Sequence, residues 1–205
     1  MGQGLPAPLL RAQHWHLFLQ IASDCLKVPM RHMTDAMPAA AQAPSSDPAE
    51  YRKALSCFAT GVTVVTTRWQ DQDWGMTCNS FSSVSLEPRL VLWSIRKAAS
   101  SLDAFTRSGG FTVNVLSSEQ EALAKQFATG DMAARFAGVP TTRQASKRER
   151  LNAAVAWFDC ELHQLVDAGD HHIVIGQVQN FGWQDDASAL TFWRSRFGQF
   201  EALPA

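Results

Sequence analysis

Apolar positions recur along the chain with two periods, and the change between them separates the elements. Tyr51, Leu55 and Phe58 fall at i, i+4 and i+7, a single stripe that predicts a short amphipathic helix packed along that face. Its start is signalled by Asp47 at the N-cap, Pro48 at the first helical position and Glu50 at N3, and Gly61 is the expected stop. Beyond Gly61 the period falls to two. Strands are predicted over residues 62–67, 76–84, 90–95, 111–116, 154–165, 173–181 and 190–193. Residues 69–75 read as a polar turn, with further turns at Glu87 and Pro88 and at Gly109 and Gly110. Two helical insertions interrupt the strands, a turn near residues 100–106 and a helix opened by the capping box Ser118 to Glu121 and carried by Leu123, Ala124 and Phe127. The result is a mainly β chain with helical insertions, its short strands joined by hairpins into a largely antiparallel sheet.

Residues 1–46 follow neither period. Pro6, Pro8, Pro29, Pro38 and Pro44 break the segment, and residues 39–46 are almost all small or breaking types, so 1–46 reads as a poorly ordered N-terminal extension and 47–205 as the folded domain. Trp15, Leu19 and Leu26 allow an irregular helix within 14–26, and Met30, Met33 and Met37 offer alternative native start sites.

Composition narrows the function. With 205 residues and 46% hydrophobic content there is enough apolar mass for one large domain or two small ones. Eighteen basic against 19 acidic residues, a net charge of −1, give no electrostatic footprint for nucleic acid, and no apolar run approaches the roughly 20 residues of a membrane span. Four cysteines without a CxxC pair suit thiols in a reducing cytoplasm, and the first residues lack a secretory pattern. Seven Trp and twelve Phe against one Tyr fit a well-filled core first, and a planar-ligand pocket or subunit interface second. The basic run Arg143, Lys147, Arg148 and Arg150 reads first as a solvated loop and second as a lid attracting anionic cofactors. Dinucleotide-fold, P-loop, zinc-protease and hydrolase motifs are missing, and the histidines do not assemble into a metal site.

Two polar clusters stand out. The first, Gly75 to Ser85, sets Thr77, Asn79, Ser80, Ser82, Ser83 and Ser85 among strand positions. Hydroxyls, an amide and main-chain N–H groups suit a flavin, whose ring edge carries carbonyl oxygens and whose ribityl chain carries hydroxyls. In the second, Trp93 to Ser101, the hydroxyls of Ser94, Ser100 and Ser101 stand with Arg96 and Lys97, a donor set for a phosphate. Taken singly, each cluster also reads as a hydroxyl-rich edge strand or turn.

Several segments in order, Phe58–Thr67, Gly75–Ser85 with Glu87 and Pro88, Phe111–Leu116, Gly169-Asp-His171, Ile175-Gly-Gln-Val178 and Arg194-Ser-Arg-Phe-Gly198, resemble the short-chain flavin reductases of two-component monooxygenases, within the FMN-binding split-barrel flavoproteins. The resemblance implies a six-stranded antiparallel Greek-key barrel that forms a homodimer and binds FMN or FAD near the subunit interface. It implies reduction of that flavin by NADH or NADPH and delivery to a flavin-dependent monooxygenase component. Carried over by motif, Thr77, Cys78, Asn79 and Ser80 would line the ring, and Ser82, Ser83, Val84 and Ser85 the ribityl region. Ser94, Lys97, Ser100 and Ser101 would face the phosphate, His171 would meet the nicotinamide, and Arg196 and Phe197 would close the pocket. Ala98 and Ala99 depart from the family's usual polar residues in the phosphate loop and leave FMN against FAD open. Direct hydride transfer then needs no side-chain nucleophile, only geometry. A non-catalytic FMN-binding electron carrier is the alternative, and a split-barrel oxidase of a pyridoxal-type phosphate a third reading.

Overall fold

In the computed structural model, which describes residues 47–201, helix α1 spans Pro48–Leu55. The extension, its helix and the alternative start sites lie outside the described residues. Asp47 caps α1 as expected, its Oδ1 accepting from Ala49 N at 2.8 Å. The helix is shorter than its stripe: Ser56 closes it, and Gly61 already belongs to β1 (Thr60–Gly61). Nor is the stripe packed, because Tyr51, Leu55 and Phe58 are 66%, 55% and 78% exposed. Another part of the chain anchors α1 by its end and not its face, with Arg194 N donating to Ser56 O at 2.9 Å and Trp193 Nε1 to Cys57 O at 3.1 Å.

The strands that follow are β2 (Thr63–Trp69), β3 (Gln72–Cys78), β4 (Ser82–Leu86), β5 (Arg89–Arg96), β6 (Gly110–Val115), β7 (Thr141–Arg143), β8 (Glu149–Leu151), β9 (Ala156–Ala168), β10 (His171–Trp183), β11 (Leu190–Trp193) and β12 (Arg196–Gln199). Helix α2 (Leu102–Arg107) precedes β6 and α3 (Glu121–Ala128) follows it. The periodic reading does not predict β1, β7, β8 or β12, and β9 and β10 extend beyond their expected bounds, β9 to Ala168 and β10 from His171 to Trp183; two further differences lie near β3 and β4. Gln70 and Asp71 both take positive φ (50° and 60°) in a two-residue hairpin turn, so pairing resumes at Gln72 and not near Met76. The extended segment 76–84 is two strands, broken at Asn79–Phe81. The capping box also lies one residue earlier, between Ser117 and Gln120, whose Oε1 accepts from Ser117 N at 3.0 Å. No described helix is long and apolar enough to cross a membrane.

The main sheet is antiparallel, in the order β3-β2-β6-β9-β10-β5-β4, one strand more than the six expected. Its edges, β3 and β4, are consecutive in the chain. Four Cα steps from Cys78 to Ser82 reach at most about 14 Å, whereas seven flat strands would hold the edges about 29 Å apart. The sheet must therefore curl until its edges approach each other at this link, without pairing among the described residues, as a split barrel does. Ser80 ties the link across this seam to β5: its Oγ accepts from Ser94 N at 2.9 Å, continuing the β4–β5 ladder past the start of β4.

Inside the curl lies a core of Val65, Val91, Trp93, Phe111, Val113 and Val174, with Phe105 of α2 meeting Trp93 edge-on at 5.0 Å. Gly176 leaves room for Phe111, whose Cζ would stand 2.4 Å from an added Cβ. A second core, with Val62, Val64, Leu116, Phe127 and Leu190, joins the other face of β2 to α3 and β11. Residues 63–67 are consequently buried on both faces, which explains their continuous β-branched run.

The basic run is a solvated loop only at Lys147, which is exposed in the turn between β7 and β8; its arginines are engaged. It folds into the β7–β8 ribbon, where Arg143 pairs with Asp73 at 2.8 Å and with Glu149, and Arg148 pairs with Asp159 at 2.9 Å. Arg150 lies over the Trp157 ring at 5.3 Å. Carboxylates placed on β3, β8 and β9 draw these cations onto the barrel.

Candidate functional site

Four segments converge near the seam. Pairing places His171 opposite Arg96 and Ile173 opposite Ser94, so the start of β10 lies beside the end of β5. Lys97 N donates to Asp170 O at 2.9 Å, which pins the turn after β5 to the β9–β10 turn. Ser101 Oγ contacts Met76 Sδ at 3.8 Å, bringing that same turn against β3, and Ser80 ties the 79–81 link to Ser94.

Within this region the predicted residues divide by what already engages them. Thr77 Oγ1 donates to Ala124 O at 2.6 Å, Cys78 Sγ meets Thr63 Oγ1 at 3.1 Å, and Ser101 is buried against Met76. Burial pushes the Cys78 thiol above its ordinary pKa. These side chains hold the site together. Asn79, Ser82, Ser83, Val84 and Ser100 are exposed, Ser85 and Ser94 half-buried, and Ser82 Oγ makes only a local bond to Ser83 O at 3.2 Å.

At the other end the groups are charged. Lys97 Nζ reaches Asp167 Oδ2 at 2.7 Å, and that ammonium holds the Asp167 carboxyl below its ordinary range. His171 Nδ1 lies 2.7 Å from Asp170 Oδ1 and lowers the Asp170 pKa in the same way. Because a carboxylate only accepts, Asp170 fixes the proton on Nδ1 and turns the chemistry of the ring over to Nε2. Asp167 and Asp170 were invisible as partners in the motif reading; their spacing about Gly169 at a hairpin tip is the only signal the chain offers.

Arg196 and Phe197 stand apart from this cluster. Phe197 packs on Phe192 at 5.2 Å against the second core, with Lys125 Nζ of α3 5.7 Å from its ring centre.

The donor set fits a flavin nucleotide. Uncharged amide and hydroxyl donors (Asn79, Ser82, Ser83) lie at the link and along β4, while the cations Arg96 and Lys97 lie at the end of β5, matching a neutral ring with an anionic tail.

Comparison with known proteins bears on the same region. Residues 55–201 match the family model described as flavin reductase like domain. A flavin reductase of Pseudomonas putida is 39% identical over 158 residues, 77% of this chain and 92% of the relative. The FMN reductase (NADH) SmoA of Agrobacterium fabrum is 38% identical, over 73% of this chain and 84% of its own. Among solved structures, the NADH:FAD oxidoreductase of Streptomyces globisporus superposes with a TM-score of 0.75 at 34% identity, over 83% of this chain and 97% of that one. Its complex with NAD and FAD fragments gives a TM-score of 0.72 at 35% identity, over 78% and 98% of the two chains.

Proposed function

The chain belongs to the flavin reductase like domain family, and from that membership we propose that it is an NAD(P)H:flavin oxidoreductase that supplies reduced FMN or FAD to a monooxygenase component. The observation that carries the reading is the convergence at the seam of neutral donors with the Arg96, Lys97 and His171 cluster. Relatives named as reductase components of flavin-dependent monooxygenases support the partner class. Leu92, Ile173 and Ile175 leave a half-buried apolar face on the outside of β5 and β10, and we assign it to a homodimer contact.

A flavin held here would supply the redox chemistry, that of a hydride acceptor for a nicotinamide nucleotide. The protein's part is to bind and orient. Asn79 and the main-chain N–H groups of the link address the ring edge, Ser82 and Ser83 the polyol, and Arg96 and Lys97 the phosphate. Ser80, Thr77 and Ser101 act by fixing the backbone, since their hydroxyls are already engaged. His171, oriented by Asp170, presents Nε2 to the nucleotide.

Steady-state NADH and NADPH oxidation with riboflavin, FMN and FAD tests the proposal. Flavin-dependent oxidation is expected, and its absence with all three flavins at micromolar concentration overturns the reading. His171→Ala should raise KM for the nicotinamide nucleotide more than it weakens flavin binding; equal KM values would remove the residue from the site.

A further inference from the structure

A cleft of about 460 Å³ lies away from the seam, between α1 and the β11–β12 turn. Arg52, Lys53 and Ser56 line it from the helix side with Cys57, and Arg194 and Ser195 from the turn. Three of these side chains are cations, and none of the cleft's lining residues is acidic. The helix explains part of this, since Arg52 and Lys53 in its last turn complement the negative end of its dipole. It does not explain Arg194, which arrives from a separate sheet.

Arg194 is held there at a conformational cost. The turn is a two-residue hairpin loop closed by the Trp193 and Arg196 pair, and both central residues adopt positive φ, 46° at Arg194 and 62° at Ser195. Such loops favour Asn-Gly or Gly-Gly, and side chains kept in strained backbone mark sites where the side chain itself is used. The guanidinium is also pre-set. Arg194 lies over the Trp193 ring with its carbon 4.7 Å from the centroid, while the indole N–H is bound to Cys57 O. Stacking occupies the flat face of a guanidinium and leaves its in-plane N–H groups to fan outward.

We propose that this cleft is a binding site for the phosphate of a nucleotide, with Arg194, Arg52 and Lys53 supplying the charge and Ser195 a hydroxyl donor, while Ser56, whose hydroxyl donates to Lys53 O at 2.7 Å, closes the helix end. The size lies within the range of small-molecule sites, and a fork-shaped guanidinium opposite a point-charge ammonium suits phosphate oxygens. The assignment does not rest on the flavin site, whose residues lie at the seam, and its test needs no turnover.

Cys57 reports occupancy because it is exposed within the lining, whereas burial raises the pKa of Cys78 and, to about 12, that of Cys160. The full chain is titrated calorimetrically with inorganic pyrophosphate, ADP and FMN, and iodoacetamide labelling of the Cys57 peptide is followed by mass spectrometry at each saturation point. Binding with several-fold slower labelling is expected, and Arg194→Gln should weaken it about tenfold, the loss of one charge-assisted contact. Arg194 bonds the helix through its backbone N–H, which that variant keeps. The pair Arg52→Gln and Lys53→Gln, on the exposed helix, provides an independent variant with the same expected loss. Protection by pyrophosphate and ADP assigns the site to the diphosphate shared by dinucleotides, and protection by FMN alone assigns it to a phosphate monoester. Unchanged labelling with all three probes, or protection that survives both variants, overturns the proposal.

Discussion

Replacing Arg148 with methionine decides whether the basic run serves the fold or a ligand. Its Nε lies 2.9 Å from Asp159 Oδ1, and the two side chains are only 12% and 9% exposed. Thr112 donates to the same carboxylate oxygen at 3.1 Å, and Gln144 of the ribbon segment donates to Thr112 Oγ1 at 3.0 Å, so Asp159 links β6, β9 and the ribbon. Arg148 also covers Gly110, where an added Cβ would stand 2.6 Å from its Nη1. Methionine preserves most of the stem but leaves the carboxylate buried with one neutral donor. Removing one partner of a buried pair costs about 3–5 kcal/mol, against roughly 0–1 kcal/mol for an exposed pair. In a domain of this size each kcal/mol lowers Tm by about 2–4 °C, which puts the fall at roughly 6–20 °C. The paired change Arg148→Met with Asp159→Leu should recover most of the loss, because no unpaired charge remains. Urea unfolding followed by circular dichroism gives the stability, and flavin fluorescence titration gives the affinity of the folded protein, expected to stay within about twofold of the parent. A stability loss below about 1 kcal/mol, or intact stability with roughly tenfold weaker flavin binding, would refute the reasoning and return Arg148 to a ligand-binding lid.

Asp73 provides a pH-dependent test. Burial pushes its carboxyl up, but Arg143 and Arg68 together outweigh that and hold its pKa below the ordinary Asp value. Because the folded pKa is the lower one, this contribution is complete above the unfolded value near ~3.9 and is lost as pH falls through the folded value. Asp73→Asn should therefore flatten the decline in unfolding free energy between about pH 4 and 2, and curves parallel to the parent's would refute it. Gly176→Ala would set a Cβ 2.4 Å from Phe111 Cζ and 2.9 Å from Cys160 Cβ inside the barrel, so a loss of about 1–3 kcal/mol is expected by denaturant titration. A change below about 0.5 kcal/mol would show that the Phe111 ring has room to move.

Period and punctuation located the longer strands because most bury one face, and residues 111–116 and 190–193 required little else, whereas the short strands β1, β7, β8 and β12 carry too few alternating positions to show. They failed where the deciding partner is distant in sequence. The stripe Tyr51, Leu55 and Phe58 has helical spacing whether or not anything packs on it, and here the helix is held by its end. Gln70 and Asp71 make their turn without a glycine, so the polar run 69–75 announces a turn but not that it is only two residues long. The ribbon's arginines look solvent-facing until Asp73, Glu149 and Asp159 are seen beside them. For the candidate site, the hydroxyl-rich segments were conspicuous in sequence, but which hydroxyls are spent within the protein was not. Thr77 and Ser101 belong to the scaffold only because Ala124 and Met76 lie against them.

The seam between β3 and β4 gives the barrel wall an uneven resistance to opening. Elsewhere neighbouring strands of the main sheet are joined by ladders of backbone bonds, whereas no described pairing joins β3 to β4, and the Ser80 Oγ bond to Ser94 N holds the link to β5 on one side of the gap. Local opening follows the path that breaks fewest bonds, so the amides of residues 79–81 should exchange with solvent well before those of β9 and β10. The stretch proposed to meet the flavin is then also the stretch that breathes, and entry and escape of a planar ligand need not disturb the rest of the wall.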